Sequence, residues 1–166
     1  MADDRSTFEL AFDAVQIPVS PYGRAASGRK RISKVLLPGD ATDQMRALHI
    51  REAVLSASAT FSLDLQTALD AYGAALAADD LAMLFIENVT DASGGGALEV
   101  RPNAANGFTN LLGASSALKI PYGGFVCLGN FTADKYDVSP TNKILDFVET
   151  GGALPVLLRI HAWVRR

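Results

Sequence analysis

The side chains able to do chemistry are few and scattered. Two histidines, His49 and His161, one cysteine, Cys127, and dispersed acids make up the supply of nucleophiles, bases and ligands. A zinc site built on Cys and His needs three or four such ligands in one place, and three is the whole stock, spread along the chain. There is no G-x-S-x-G elbow for a serine nucleophile, no G-x-x-x-x-G-K-[ST] loop for phosphates, and no G-x-G-x-x-G joining a strand to a helix. His161 alternates with Arg159 and Arg165, whose charges oppose an imidazolium, so an exposed structural histidine outweighs a catalytic one. Asp79 with Asp80, or Asp134 with Asp137, could bind calcium or trade protons if other acids joined them in space. The EF-hand pattern is missing, however, and acids in such settings read as turn and cap residues. No catalytic residue, cofactor or metal is assigned, and the chain is not expected to be an enzyme.

The densest charge lies in "PVSPYGRAASGRKRISK", where Arg24, Arg29, Lys30, Arg31 and Lys34 have no acid among them. Its prolines, glycines and small polar residues predict an irregular basic loop over Gly23–Lys34. Such a loop can follow phosphates, dock on an acidic protein surface, or simply be solvated. Nucleic acid is the weakest of these readings, because only Tyr22 is interleaved and the chain is net acidic at −3. The stretch "KIPYGGFVCLGN" invites a phosphate-loop reading, yet no helix follows it. Pro121, Gly123 and Gly124 instead fit a turn, and Cys127 beyond it reads as a small buried hydrophobe with a disfavoured thiolate. The sequons at Asn88 and Asn130 are coincidences of composition.

The elements that would carry these residues are mostly strands. "TFELAFD" and "TFSLDLQ" alternate apolar and polar residues with period two, and "LAMLFIENV" reads as a strand buried on both faces. The span from Asp43 to Ala53 is open between a short helix and a strand. "TALDAYGAALAADD" predicts a short helix or wide turn around Gly73, and Gly94–Gly96 a hairpin tip joining the buried strand to the next. Further strands are expected at Leu118–Ile120, Phe125–Leu128, Ile144–Glu149 and Leu154–Val164. In the last, Leu158, Ile160, Ala162 and Val164 face the core, leaving Arg159, His161, Trp163 and Arg165 as a cationic and aromatic stripe toward solvent or a neighbour. Trp163 therefore joins Arg24, Arg29, Lys30, Arg31 and Lys34 as a candidate partner-binding residue. Many short strands without a long amphipathic helix predict an all-β fold, a β-sandwich of jelly-roll-like type, with an extended N-terminal arm and at most one or two short helices.

The 166 residues suffice for one packed core. Residues 1–45 form the expected strand or arm with its basic loop, and residues 46–166 the sandwich body. With one cysteine there is no internal disulfide, so packing alone must hold the fold. "MADDRSTFEL" starts acidic without an apolar h-region, and no window approaches the roughly 18 apolar residues of a membrane helix. A soluble protein without a signal peptide, and no membrane partner, is the expectation.

From Ala59 to Val164 the succession "ATFSLDLQTALDAYGAAL", "LAMLFIENV", "LKIPYGGFVCLGN", "KYDVSPTNKILDFVETGGALPVLLRIHAWV" resembles small virion structural proteins of tailed bacteriophages. The likeness lies in the "LDL" strand, the D-x-x-G turn, the P-x-G-G turn opening a strand, the "Y-x-V" segment and the closing strand. Arg and His within Leu158–Trp163, and the basic Gly23–Lys34 segment, depart from that pattern. The resemblance implies a capsid cement or decoration protein, bound to the major capsid protein on the virion surface after synthesis in the host cytoplasm. It also implies a symmetric homo-oligomer, a trimer suiting quasi-threefold sites. The alternative is a head–tail, tail or fibre-associated β-module, including one that binds glycans by stacking Trp163, Tyr122 and Tyr136 on sugar rings. A sandwich enzyme using dispersed acids is the most remote class.

Overall fold

A computed structural model describes residues 6–16, 26–38, 44–90, 94–130 and 136–166. The chain forms two compact units, Met1–Pro38 and Gly39–Arg166.

In the first unit, β1 (Ser6–Gln16) and β2 (Ala26–Pro38) pair antiparallel, in register from Ser6 opposite Leu36 to Gln16 opposite Ala26. The irregular loop expected over Gly23–Lys34 is thus a strand from Ala26 onward. Strand preference depends on the pairing partner more than on the residue itself, and β1 offers an unbroken ladder while Ile32, Val35, Leu36 and Leu37 supply strand formers. Arg29, Lys30, Arg31 and Lys34 therefore lie in β2, with Arg29 opposite Asp13. Arg24 lies outside the described residues.

The second unit is an antiparallel β-sandwich. After the short β3 (Gln44–Met45), the span left open between helix and strand is β4 (Ala47–Leu55). It is followed by β5 (Thr60–Asp64), β6 (Asp80–Asn88), β7 (Ala97–Pro102), the single-turn α1 (Thr109–Leu112), β8 (Leu118–Ile120), β9 (Phe125–Gly129), β10 (Tyr136–Asp137), β11 (Ile144–Thr150) and β12 (Val156–Arg165). One sheet runs β4-β12-β6, with β10 and β9 sharing the far edge of β6; the other runs β5-β11-β7-β8. The all-β sandwich expected from the short strands is the observed class.

Between the sheets lie Leu84, Ile86, Leu158, Ile160 and Val164 from the first and Leu63, Leu98, Val100, Leu145 and Phe147 from the second, all essentially inaccessible. Strand β12 alternates as its sequence predicts, with Val156, Leu158, Ile160, Ala162 and Val164 inward. Beside it β6 is buried along nearly its whole length. That explains one departure from expectation: β6 and β7 do not form a hairpin. Both edges of β6 are occupied, by β12 on one side and by β9 and β10 on the other, so the chain crosses at Gly94–Gly96 to the opposite sheet. The crossing is tight, since a Cβ on Gly152 would collide with the Gly96 backbone and one on Gly96 with the Glu149 carboxylate. Buried Glu149 accepts hydrogen bonds there from Ser58 N (2.6 Å) and Gly152 N (2.8 Å).

The alanine-rich piece resolves as a wide turn. Asp70 Oδ1 accepts from Tyr72 N and Ala74 N, each at 2.9 Å, and Leu69 bridges Ala75. The turn in "KIPYGGFVCLGN" is also present: Gly124 N donates to Pro121 O at 3.0 Å, and Gly123 takes φ +67, which a side chain would disfavour.

Candidate docking surface

Residues directly opposite one another on paired strands share a sheet face, so the registers assemble the outer face of the β4-β12-β6-β9 sheet row by row. One row is Leu48, Trp163 and Met83; the next is Ile50, His161, Phe85 and Cys127; the third is Glu52, Arg159, Glu87 and Phe125. Leu157 and Val54 follow on the same face. Most of these side chains are apolar or aromatic, and three of the large ones are open to solvent: Ile50 at 49%, Val54 at 67% and Phe125 at 45%.

The other sheet turns a different surface outward. Its rows are Thr60, Val148, Glu99 and Lys119, then Ser62, Asp146 and Arg101. Here polar groups are tied to one another: Ser62 Oγ donates to Asp146 Oδ1 at 2.6 Å, and Asn103 Nδ2 donates to Oδ2 at 3.0 Å. One sandwich thus has a polar outer face and an apolar one.

On the apolar face the rings form a continuous ladder. Phe125 stacks with Phe85 at 5.9 Å between centroids, Phe85 meets His161 edge-on at 5.8 Å, and His161 lies 5.8 Å from Trp163. Beside it runs a charged row in which Arg159 Nε donates to Glu52 (2.8 Å) and Nη1 to Glu87 (2.9 Å). The Glu52 hydrogen bond above all raises the Arg159 pKa further. His161 is pushed the other way: partial burial lowers its pKa below the usual 6.5, and the Arg159 charge lowers it further against the opposing Glu87 and Glu52. At neutral pH the ladder therefore contains a neutral imidazole. Cys127 is half-buried, and burial raises its thiol pKa.

Trp163 corrects the expectation of an exposed stripe. It is only 7% exposed, and Met83 beside it in the same row is 1% exposed, so that end of the face is closed to solvent although both residues point away from the core. Arg165 is buried as well, its Nε donating to Asp80 Oδ1 at 2.6 Å with both side chains at 2% exposure or less. Asp80 is accordingly an ion-pair partner and not the turn or cap acid its setting suggested. Of the proposed partner-binding residues, Trp163 and the β2 cations fall in different units, and Ile50, Val54, Phe85 and Phe125 were not singled out. Their signal lay in the period-two positions of β4, β6 and β9, legible only once the registers are known.

A concavity of about 400 Å³ opens between β4 and the β5 region, lined among others by His49, Arg51, Phe61, Asp64 and Asp70. The Arg51 guanidinium sits over the Phe61 ring at 5.7 Å. His49 Nδ1 lies 2.6 Å from Leu69 O and so donates to it, while buried Nε2 has no partner among the described residues. Burial raises the Asp64 carboxyl, but Lys143 and the Gln66 and Thr67 amides outweigh it and hold its pKa below the usual value. Among the described residues no group of three or more His, Cys, Asp or Glu is placed to hold a metal ion, and no helix is long and apolar enough to cross a membrane. Asn88 of the first sequon is fully buried, with Nδ2 donating to Gly96 O. Of the three rings considered for sugars only Tyr122 is exposed; Tyr136 packs against the core.

The class defined by this geometry is an antiparallel β-sandwich with one apolar outer face. The chain matches no protein-family model, no curated protein sequence and no solved structure.

Proposed function

We propose that this chain is a non-enzymatic virion structural protein of the capsid-decoration type, docking on the major capsid protein through the outer face of its β4-β12-β6-β9 sheet. The observation that carries the reading is the difference between the two outer faces, since solubility alone favours polar residues on both, yet one of them leaves Ile50, Val54 and Phe125 open to solvent around the Glu52–Arg159–Glu87 row. Burying the exposed halves of Ile50, Val54 and Phe125 contributes roughly 1 kcal/mol each. That is modest for one copy, and it suits a protein whose attachment is multiplied by a symmetric homo-oligomer, a trimer in the favoured case, on a repeating lattice. The turn and strand pattern from Ala59 to Val164, similar to that of small phage virion proteins, supplies the identity of the lattice.

The test is the copy number of the chain in purified particles of the phage that encodes it. A decoration protein is present in tens to hundreds of copies, on the order of the shell subunits, and Phe125→Glu depletes it from particles far more than the small loss of stability from its stack on Phe85 accounts for. Absence from particles refutes the reading. A count of about a dozen or fewer moves the protein to a neck, tail or fibre ring.

A further inference from the structure

Among the described residues strand β4 pairs along one edge only, with β12. Its other edge is closed at one end, where Leu48 O accepts a hydrogen bond from Ala71 N at 2.8 Å. Leu48 thus turns its backbone away from β12, and by the two-residue repeat of an antiparallel ladder so do Ile50, Glu52 and Val54. Among the described residues no strand pairs with them on that side. The side chains of the same three residues stand on the apolar outer face, with Ile50 49% and Val54 67% exposed and the Glu52 side chain 55% exposed. No proline or lysine interrupts Ile50–Val54; the charges it carries are Arg51, whose guanidinium lies over the Phe61 ring, and Glu52 on the outer face, so the edge is guarded by charge and its backbone stays open to a partner that complements that charge.

We propose that the Ile50–Val54 edge of β4 is a strand-addition site for an extended partner segment whose alternate residues run apolar, cationic, apolar. The backbone of the segment would complete the ladder of Ile50, Glu52 and Val54, and its apolar residues would lie beside Ile50 and Val54. Charge selects the middle residue. Glu52 and Glu87 share the single guanidinium of Arg159, leaving one carboxylate in excess in that row. A strand laid along β4 places a side chain about 5 Å from Glu52, where Lys or Arg extends the alternation to cation, Glu52, Arg159, Glu87. A second copy of β4 paired in the register centred on the exposed triplet sets Glu52 against Glu52, so like charge disfavours that occupant. The inference deepens the docking reading above and rests on it for the side of the sandwich that meets a partner.

The experiment is an amide chemical-shift titration of the isotope-labelled full chain with a synthetic peptide reading threonine, valine, threonine, lysine, threonine, isoleucine, threonine. A second peptide replaces the lysine by glutamate. The lysine peptide shifts the amides of Ile50, Glu52 and Val54 and binds about tenfold more tightly than the glutamate peptide. Glu52→Lys reverses that preference, and Val54→Pro abolishes binding of both peptides while leaving thermal unfolding nearly unchanged, since its N–H faces outward. Equal binding of the two peptides, an unreversed preference, shifts elsewhere in the sandwich, or exclusion of both peptides by self-association through β4 overturns the proposal. Failure of both peptides for a chain that nonetheless decorates particles at shell copy number overturns strand addition alone; absence from particles overturns the docking reading whatever the peptides do.

Discussion

Replacing Asp80 by asparagine tests whether the sandwich depends on a buried charge pair. Asp80 opens β6 and Arg165 closes β12, and their 2.6 Å contact is sealed at 2% and 1% exposure. Arg165 Nη2 also donates to Asn130 O at 3.1 Å, just beyond β9, so this guanidinium joins the ends of three strands. The pair sits next to an irregularity in register, where Trp163 faces Met83 but Val164 faces Leu81, and the ladder alone holds these strands less firmly there. Asp80→Asn keeps the volume but removes the carboxylate charge that the buried guanidinium meets at 2.6 Å, a change that costs about 3–5 kcal/mol. Against a total of about 5–15 kcal/mol, this lowers the melting temperature by roughly 10–15 °C for a domain of this size. Calorimetry on the purified chain measures it. The double variant Asp80→Leu with Arg165→Met removes both charges and recovers most of the loss. A loss under about 1 kcal/mol for Asp80→Asn, or a double variant no better than the single, refutes the reasoning.

Three further outcomes follow from particular contacts. Gly152→Ala drives a Cβ into the Gly96 backbone and disturbs the Glu149 carboxylate that caps Ser58 and Gly152, so denaturant unfolding shows a loss of about 1–3 kcal/mol or more. His161 has a folded pKa below its unfolded value of 6.5, so the unfolded chain binds more protons; stability is full above that value and declines as pH falls from about 7 toward 5. His161→Gln flattens that part of the pH–stability curve, and an unchanged slope refutes the assignment. Cys127, its thiol pKa raised by burial, reacts with iodoacetamide at pH 8 more slowly than free cysteine, as timed mass spectrometry reports, and unfolding in urea removes the difference.

The strands were legible because alternation is local. β5 and β12 follow directly from Phe61 and Leu63, and from Leu158, Ile160, Ala162 and Val164, as does the doubly buried β6 from its apolar run. What failed was information held in a partner. β2 reads as loop by composition, yet β1 supplies a ladder for it. Gly94–Gly96 reads as a hairpin tip, yet β9, β10 and β12 occupy the edges β7 would need. Asp80 reads as a cap acid, because nothing within a window of neighbours shows that Arg165 will be buried against it.

Trp163 marks the same boundary between local and non-local information, and it bears on function. Period two separates inward from outward residues, but outward equals exposed only where the strand's neighbours leave room. On β12 the row of Leu48, Trp163 and Met83 faces outward, yet Trp163 is 7% and Met83 1% exposed, so the indole that the sequence leaves facing out is buried. The large apolar residues that do reach solvent on that face, Ile50, Val54 and Phe125, come from segments some 70 positions apart in sequence and look unremarkable in each. They form a surface only because β4-β12 and β6-β9 registers bring them onto one face, beside a charged row that keeps one carboxylate in excess. The opposite sheet, built by the same pairing rules, ties its outer polar groups to each other through Asp146. Since the two sheets face the same solvent and differ in what they offer it, the difference is not required by folding, and it is the feature from which a partner is inferred.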